Sequence, residues 1–521
     1  MRMNSLASIS PLLAATLVIA PLGCGDPDTT TGVSATDTDE TTEGDGTTAG
    51  SESPTTAGPG SSDGTTGSET DDATTDSDPT TSSDPTTDSD PTTDTDPTTD
   101  TDPTTDTDPT TDTDTDTGTD TEGVEGFQLG FDVADLSPTQ AQLGGNNLYM
   151  GAYGAPFTRG PAKGVHDKIY VRSFALEADG VGLIMAITDL PGMGNQITRA
   201  IREAAAAQTG LSEQQILVGS THSHSAPDLM GLWGGVPGGY RDTVINTTAA
   251  SMAAAWEARV PGELRVATTT APNNNRRDWP FTDDTMVVLE ALDEAQARLG
   301  VMVTFAAHPV ILGEGNKEIS RDYCGYVVDA LEAEVEAPVL FFNGVLGDAT
   351  PKVPPGDYPD DFLKAEAYGD LLADIAAQAV DATEPVDESV TYDYVEWEEA
   401  VDNALFKLAA TLGLAMYDFN TMGLDQSVVT QSTYFRLGTQ VQGVAFPGES
   451  LTRNGLAIKE VMKTPHKLIL GNTGDALGYF VPSDEWMMGY NDNYEESVSL
   501  GMTAGDNARD NINGMIAADN N

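Results

Sequence analysis

Two histidines separated by one residue carry the strongest chemical signal in this chain. They stand in Gly219-Ser220-Thr221-His222-Ser223-His224-Ser225-Ala226-Pro227-Asp228, directly after the short apolar run Ile216-Leu217-Val218. The sequence has only five histidines, and histidine is the side chain that serves both as a neutral ligand and as a proton carrier near pH 7. In extended backbone, residues two apart project from the same face. This predicts that His222 and His224 present both imidazoles to one side of a strand end. Such a pair suits a metal ion or a hydrolytic centre, with Asp228 placed to orient a ring through its second nitrogen. A polar loop with two solvated histidines would have the same spacing, so the pair alone does not decide.

Other reactive groups also stand where apolar runs end. Phe305-Ala306-Ala307-His308-Pro309 delivers a third histidine, and Pro309 fixes the chain's exit. Phe341-Phe342-Asn343-Gly344-Val345-Leu346-Gly347-Asp348-Ala349-Thr350-Pro351 places an acid and a hydroxyl in a glycine-loosened turn. Ala445-Phe446-Pro447-Gly448-Glu449-Ser450 brings a carboxylate, and Gly478-Tyr479-Phe480-Val481-Pro482 a tyrosine. Taken singly, His308 fits a structural role as well as a chemical one, and Glu449 fits better as a helix N-terminal acid. Asp189, at another strand end, fits structural hydrogen bonding as well as catalysis. The glycine-rich stretch 231–239 reads as a flexible connector more than as a lip over an entrance. Trp486-Met487-Met488 fits packed core better than the wall of an acyl channel.

The elements that would position these groups alternate between the two periods. Strands are predicted over 169–176, 181–187, 216–218, 263–270, 285–292, 300–307, 338–343, 433–446 and 467–471, with an Asp179-Gly180 turn joining the first two as a hairpin. Helices are predicted over 195–208, closed by Gly210, and over 240–258, 326–335, 361–382 and 451–462. Strands interleaved with helices predict an α/β, mixed α+β fold in which mixed sheets are layered with helices. The stretch 127–136 is left without an assignment.

Composition sets the setting of this domain. Residues 1–23 carry Arg2 and then an apolar run too short to cross a bilayer, as in a secretion signal. Its end, Ala20-Pro21-Leu22-Gly23-Cys24, looks like a bacterial lipobox, which would lipidate Cys24. Residues 24–123 are almost entirely Thr, Asp, Ser, Gly and Pro, with Asp-Pro-Thr-Thr recurring, and are expected to be a disordered acidic linker. The domain proper is then expected over 124–521. The net charge is −59, and 28 of the 83 acids lie in residues 25–122, so the domain keeps 55 acids against 23 bases, a net charge of about −32. An acidic surface disfavours nucleic acid and anionic lipid as partners through charge alone. With Cys24 lipidated, only Cys324 remains, so no disulfide is expected. Nothing calls for an obligate protein partner. Gly25 after the cysteine favours export to the outer membrane or cell surface.

The set Thr-His-Ser-His-Ser-Ala-Pro, Ala-Ala-His-Pro, Gly-Asp-Ala-Thr-Pro, Pro-Gly-Glu and Gly-Tyr-Phe-Val-Pro, in this order, resembles the neutral/alkaline (non-lysosomal) ceramidases. Gly164-Val165-His166, Asn275-Arg276 and Arg321-Asp322-Tyr323-Cys324-Gly325-Tyr326 are also similar, so the resemblance spans nearly all of the chain from Phe127 onward. It implies a zinc ion held by His222, His308, Glu449 and Tyr479. His224 would contact the reacting amide or its oxyanion, and Arg276 would lie close to the substrate's polar head. Tyrosine is an unusual zinc ligand, and Tyr479 also fits as a hydrogen-bond donor at the edge of the site. Thr350 stands where the family has a serine, regarded as a nucleophile or as a contact to the lipid's hydroxyl. Ala226 replaces a glycine, Ser450 replaces a bulky apolar residue, and no following immunoglobulin-like domain is expected. Zinc with nitrogen and oxygen ligands and an open position lowers the pKa of its water to about 7 and polarises a carbonyl. The implied activity is hydrolysis of ceramide or another N-acyl amphiphile, on a protein that meets the membrane through its lipid anchor. The alternatives are a zinc hydrolase of another amide or ester, or a surface-binding lipoprotein that kept the scaffold.

Overall fold

The computed structural model describes residues 126–154, 157–277, 279–422 and 425–520. The expected signal, Cys24 and the acidic linker lie outside the described residues. Eight strands, β1 (Phe127–Asp135), β2 (Tyr170–Ala178), β3 (Val181–Thr188), β4 (Ile216–Ser220), β5 (Val260–Thr270), β6 (Thr285–Asp293), β7 (Arg298–Phe305) and β8 (Val339–Asn343), form one sheet. Its order is β8-β7-β6-β5-β1-β2-β3-β4, and Glu384–Pro385 adds a short ninth strand on β5. A second sheet has β9 (Val390–Ala400), β10 (Asp425–Leu437), β11 (Val441–Ala445) and β12 (His466–Leu470) in that order, with Phe419–Met422 paired to β10. The longer helices are α1 (Asn195–Thr209), α2 (Gly238–Glu257), α3 (Asp322–Val335), α4 (Asp361–Val380), α5 (Ala404–Leu412), α6 (Thr452–Val461) and α7 (Ala504–Asp519).

Side-chain alternation sorts these elements into four layers. In β3, Leu183, Met185 and Ile187 point to a core shared with Phe435, Leu437, Val441, Leu468 and Leu470 of the second sheet. Their neighbours Ile184 and Ala186 point the other way, onto Ile197 and Ile201 of α1 and Val244 and Met252 of α2. In β6 and β7, Met286, Val288, Val301 and Val303 likewise meet Val327 and Leu331 of α3 and Leu372 and Ala376 of α4. On the far side of the second sheet, Tyr434, Val444 and Ile469 pack on Ile458 of α6 and Ile512 and Ile516 of α7. The result is helices, sheet, sheet, helices. Strands covered on both faces lose the alternation of a half-exposed strand, which is why 181–187 reads as a continuous apolar run.

Both sheets are mainly antiparallel, and three parallel pairs interrupt that pattern. These are β3 with β4, β7 with β8, and β11 with β12. A parallel pair requires a crossover, here made by α1, α3 and α6. The carboxyl ends of these six strands gather at one place. Beyond β12, Gly471 donates to Asn343 O of β8 (2.8 Å), while Asn472 O accepts from Ser220 N of β4 (3.1 Å). Thus a segment leaving the second sheet bridges the ends of two strands that lie at opposite edges of the first.

The mixed layered architecture agrees with the sequence reading. One element differs: the single strand expected over 433–446 is two strands of a hairpin, split after Leu437 by a turn in which Gly438 has φ +56°. The turn lacks an Asn-Gly or Asp-Gly signature, so strand-forming residues run almost unbroken across it. The unassigned stretch 127–136 is β1.

The amide of Asn343 ties the fold to the site. Its Nδ2 donates to Thr221 O, and its Oδ1 accepts from Ala307 N (3.3 Å), which joins the residues preceding His222 and His308. Asn343 is fully buried. Asn343→Ala should therefore lower stability by about 2–4 kcal/mol through the unpaired groups it leaves; chemical denaturation of the domain measures this.

Candidate metal centre

His222 does not continue a strand. β4 ends at Ser220, and His222 has φ +70°, a left-handed conformation that a side chain with a Cβ adopts only under constraint. Donation from Thr221 N to Thr188 O (2.9 Å) and from His222 N to Leu190 O (3.0 Å) supplies that constraint. The kink, rather than strand alternation, turns the two rings together: the His222 and His224 centroids are 4.7 Å apart at 80°, with Nε2 to Nε2 3.1 Å. His308 follows β7, and its backbone N donates to Ala349 O (2.9 Å). Its ring centroid lies 4.9 Å from that of His222. Glu449 and Tyr479 are direct register partners in a short parallel pair, which brings both groups to the same spot.

Two main-chain carbonyls fix the chemistry of this cluster. His222 Nδ1 is bonded to Pro191 O, and His308 Nδ1 to Leu346 O (2.7 Å). A carbonyl can only accept, so each Nδ1 carries a proton and the neutral form of each ring presents its lone pair at Nε2. Both Nε2 atoms face Glu449 Oε2, at 3.4 Å for His222 and 3.1 Å for His308. That oxygen makes no well-aligned hydrogen bond. Burial holds the His224 ring well below its usual pKa, and burial followed by the Arg276 charge takes His308 down to about 4. A carboxylate facing two lone pairs at these distances is repulsive unless a proton or a metal cation lies among them.

The donor set therefore fits a metal ion. Ligand atoms of His222, His224 and His308 all lie within 4.8 Å of one another, and all three residues are buried. Tyr479 Oη is 3.2 Å from His308 Nε2 and adds an oxygen. Imidazole nitrogens with carboxylate and phenol oxygens suit zinc and its borderline neighbours. His224 differs from the other two rings. Its Nδ1 is buried without a hydrogen-bond partner, and Tyr153 packs edge-on against it at 4.7 Å.

The cluster forms the floor of a cavity of about 320 Å³. His222, His224, Glu449 and Tyr479 line it, and its walls are mostly apolar: Met230, Leu232, Trp233, Leu405, Phe406 and Leu414. Phe157, Leu408 and Leu412 also line it, and they are 54%, 46% and 59% exposed, as expected of a rim. α5 thus supplies much of one wall. No periodic run singled it out in the sequence, because its nine residues are nearly all apolar or small.

Several expected positions fall differently. Asp228 does not orient a histidine. Its carboxylate accepts from the backbone N of Met230 (2.9 Å), Gly231 (2.8 Å) and Trp233 (2.9 Å), so it builds the cavity wall from the start of the glycine-rich stretch. Burial raises its pKa to about 6. Asp189 accepts from Tyr170 N (2.9 Å), a structural bond within the sheet. Thr350 is half-buried on a short strand paired to Asn274 and does not line the cavity. Arg276 donates to Glu495 Oε1 (2.8 Å) and Gly347 O (2.9 Å), with its guanidinium 5.2 Å from the Tyr479 ring centroid and 5.5 Å from that of Tyr494. Tyr494, which lines the cavity, and Glu495 escaped the sequence reading. They follow a loop with no strand or helix signal.

Among solved structures, the chain is similar to a neutral ceramidase from Pseudomonas aeruginosa, with a TM-score of 0.64 and 16% identity over 76% of this chain and 74% of that one. A second structure, a ceramidase complexed with C2, matches with the same TM-score and identity over 76% and 75%. No protein-family model and no curated protein matches the chain. At this identity the likeness establishes a shared fold.

Because Glu449 faces lone pairs, Glu449→Gln should act in opposite directions with and without metal. Zinc affinity, read by competition with a chromogenic chelator, should fall at least about 100-fold. The metal-free protein should gain about 1–3 kcal/mol, because the amide can donate to an imidazole; its melting temperature reports this.

Proposed function

We propose that the domain expected over 124–521 is a zinc-dependent hydrolase that cleaves the amide bond of ceramide or a related N-acyl lipid to a fatty acid and an amine, using zinc-activated water. The observation that carries this reading is the convergence of His222, His308, Glu449 and Tyr479 at one point, with His222, Glu449 and Tyr479 on the floor of an apolar cavity. The shared fold with neutral ceramidase supports it.

In this reading those four residues hold the ion. Bound there, zinc would supply Lewis acidity toward the carbonyl and a water acidified to a pKa of about 7. His224 stands beside them and lines the cavity, which suits contact with the developing oxyanion or the leaving amine. The apolar walls take the acyl chain, each buried methylene being worth about 0.8 kcal/mol. Arg276, behind Tyr479 and Tyr494, faces the polar head. The position of Thr350 outside the lining favours attack by water over attack by its hydroxyl.

The N-terminal sequence supports export and a lipid anchor at Cys24, on the outer membrane or cell surface, which would keep the enzyme beside a lipid substrate. Among the described residues no helix is long and apolar enough to cross a membrane.

The test is fatty-acid release by the domain from ceramides, simple N-acyl amides and esters, with and without a zinc chelator. Release from amides that the chelator abolishes, and that added zinc restores, is expected. Release unaffected by complete metal removal would refute the assignment.

A further inference from the structure

Behind the cavity lies a cluster of charge larger than the site needs. Arg277 is fully buried and donates to Glu495 Oε2 (2.8 Å) and Glu496 Oε1 (3.1 Å), and its Nε lies 3.6 Å from Glu485 Oε2. Glu485 also meets Arg453 (2.6 Å), which pairs in turn with Asp484 (2.8 Å). Glu495, with no exposed side-chain surface, bridges the two adjacent arginines: Oε1 to Arg276 and Oε2 to Arg277. Three cations here face four carboxylates. The neighbourhood of Arg276 therefore carries no excess positive charge.

The backbone holds Glu495 there under constraint. Asn491, Asp492 and Asn493 have φ of +45°, +53° and +57°, three consecutive left-handed residues. Asn and Asp tolerate this conformation better than other side chains, but a run of three is costly. It turns the chain so that Tyr494 faces the cavity while Glu495 faces the arginines. Asn491 Nδ2 closes the arrangement on Glu495 Oε1 (2.8 Å).

The cavity itself adds the second half of the argument. Among the described residues its lining holds no Lys or Arg, and its one acid is Glu449. The nearby cation, Arg276, is tied to a buried carboxylate and shielded behind two tyrosine rings. Beyond the metal that this reading places on the floor, a head group with its own carboxylate meets no Lys or Arg charge in the lining, whereas a neutral hydroxylated head loses nothing by this.

Resting on the hydrolase reading above, we infer that Glu495 is a positioning residue that neutralises Arg276 and thereby restricts the site to N-acyl amides with uncharged heads, excluding N-acyl amino acids. Removing the Glu495 charge exposes that of Arg276 and moves the preference toward anionic heads.

The experiment compares N-lauroylethanolamine with N-lauroylglycine, two amides of equal acyl length. The wild-type domain should prefer the ethanolamide. Glu495→Gln should raise the glycine-to-ethanolamide ratio of kcat/KM about tenfold, with zinc content unchanged. Glu496→Gln removes a similarly buried carboxylate that meets Arg277 and the backbone N of Met487 (3.3 Å) rather than Arg276, and should leave the ratio as it is. Glu495→Asp, which keeps the charge, should hold the ratio near wild type even if it lowers stability. An unchanged ratio in Glu495→Gln, or an equal rise in Glu496→Gln, overturns the inference. If the wild type cleaves neither amide, the same ratio measured as Kd by calorimetry decides the role of Glu495, and the hydrolase reading is decided separately by the ceramide assay above.

Discussion

Two backbone carbonyls determine what this site can be. Pro191 O and Leu346 O each accept the Nδ1 proton of a buried histidine, and neither can do anything else. The neutral rings of His222 and His308 are thereby fixed in the tautomer that turns a lone pair inward, toward Glu449. Remove either carbonyl contact and the ring is free to protonate Nε2 and satisfy Glu449 by an ordinary hydrogen bond. The arrangement is poor for a metal-free protein and good for a metalloprotein. That asymmetry is a stronger sign of a metal centre than the presence of three histidines.

The fold is organised to make those contacts. Antiparallel strands joined by short turns do not bring three distant segments to one point, but three strand-helix-strand crossovers do. Each parallel pair ends beside the others, in keeping with the tendency of ligands to bind at the carboxyl ends of parallel strands. β3 contributes the Pro191 carbonyl through its following loop, β4 the histidine pair, β7 His308, β8 Asn343, and β11 Glu449. The left-handed His222 is the local cost of this convergence, and the bonds to Thr188 and Leu190 offset it.

Much of this was legible in the sequence, for identifiable reasons. The residues at the strand ends could be found because buried strands in parallel pairs read as apolar runs with sharp ends, and reactive residues follow those ends. His222, His308, Glu449 and Tyr479 were singled out in this way, were joined into one set by the resemblance to neutral ceramidases, and do meet. The tautomer-fixing carbonyls were not legible, since a backbone carbonyl has no side-chain signature. Asp228 was misassigned because proximity in sequence to His224 does not give direction; its carboxylate turns back to its own loop. Tyr494 and Glu495 were missed because left-handed Asn and Asp residues place them, and such a turn has no periodicity. The hairpin at Gly438 was missed for a similar reason.

The cavity and the buried charge network divide the remaining work. On the proposed function, the apolar walls from α5 and the loop held by Asp228 would take an acyl chain, and the network behind Tyr479 and Tyr494 would set the charge met by the head attached to it. Both depend on the metal centre being where the lone pairs converge. The most direct measurement is an anomalous difference map at the zinc edge from crystals of the domain grown with zinc. One peak about 2.0–2.2 Å from His222 Nε2, His308 Nε2 and a Glu449 oxygen is the predicted result. A map with no peak there, or with zinc bound only elsewhere on the acidic surface, would contradict it.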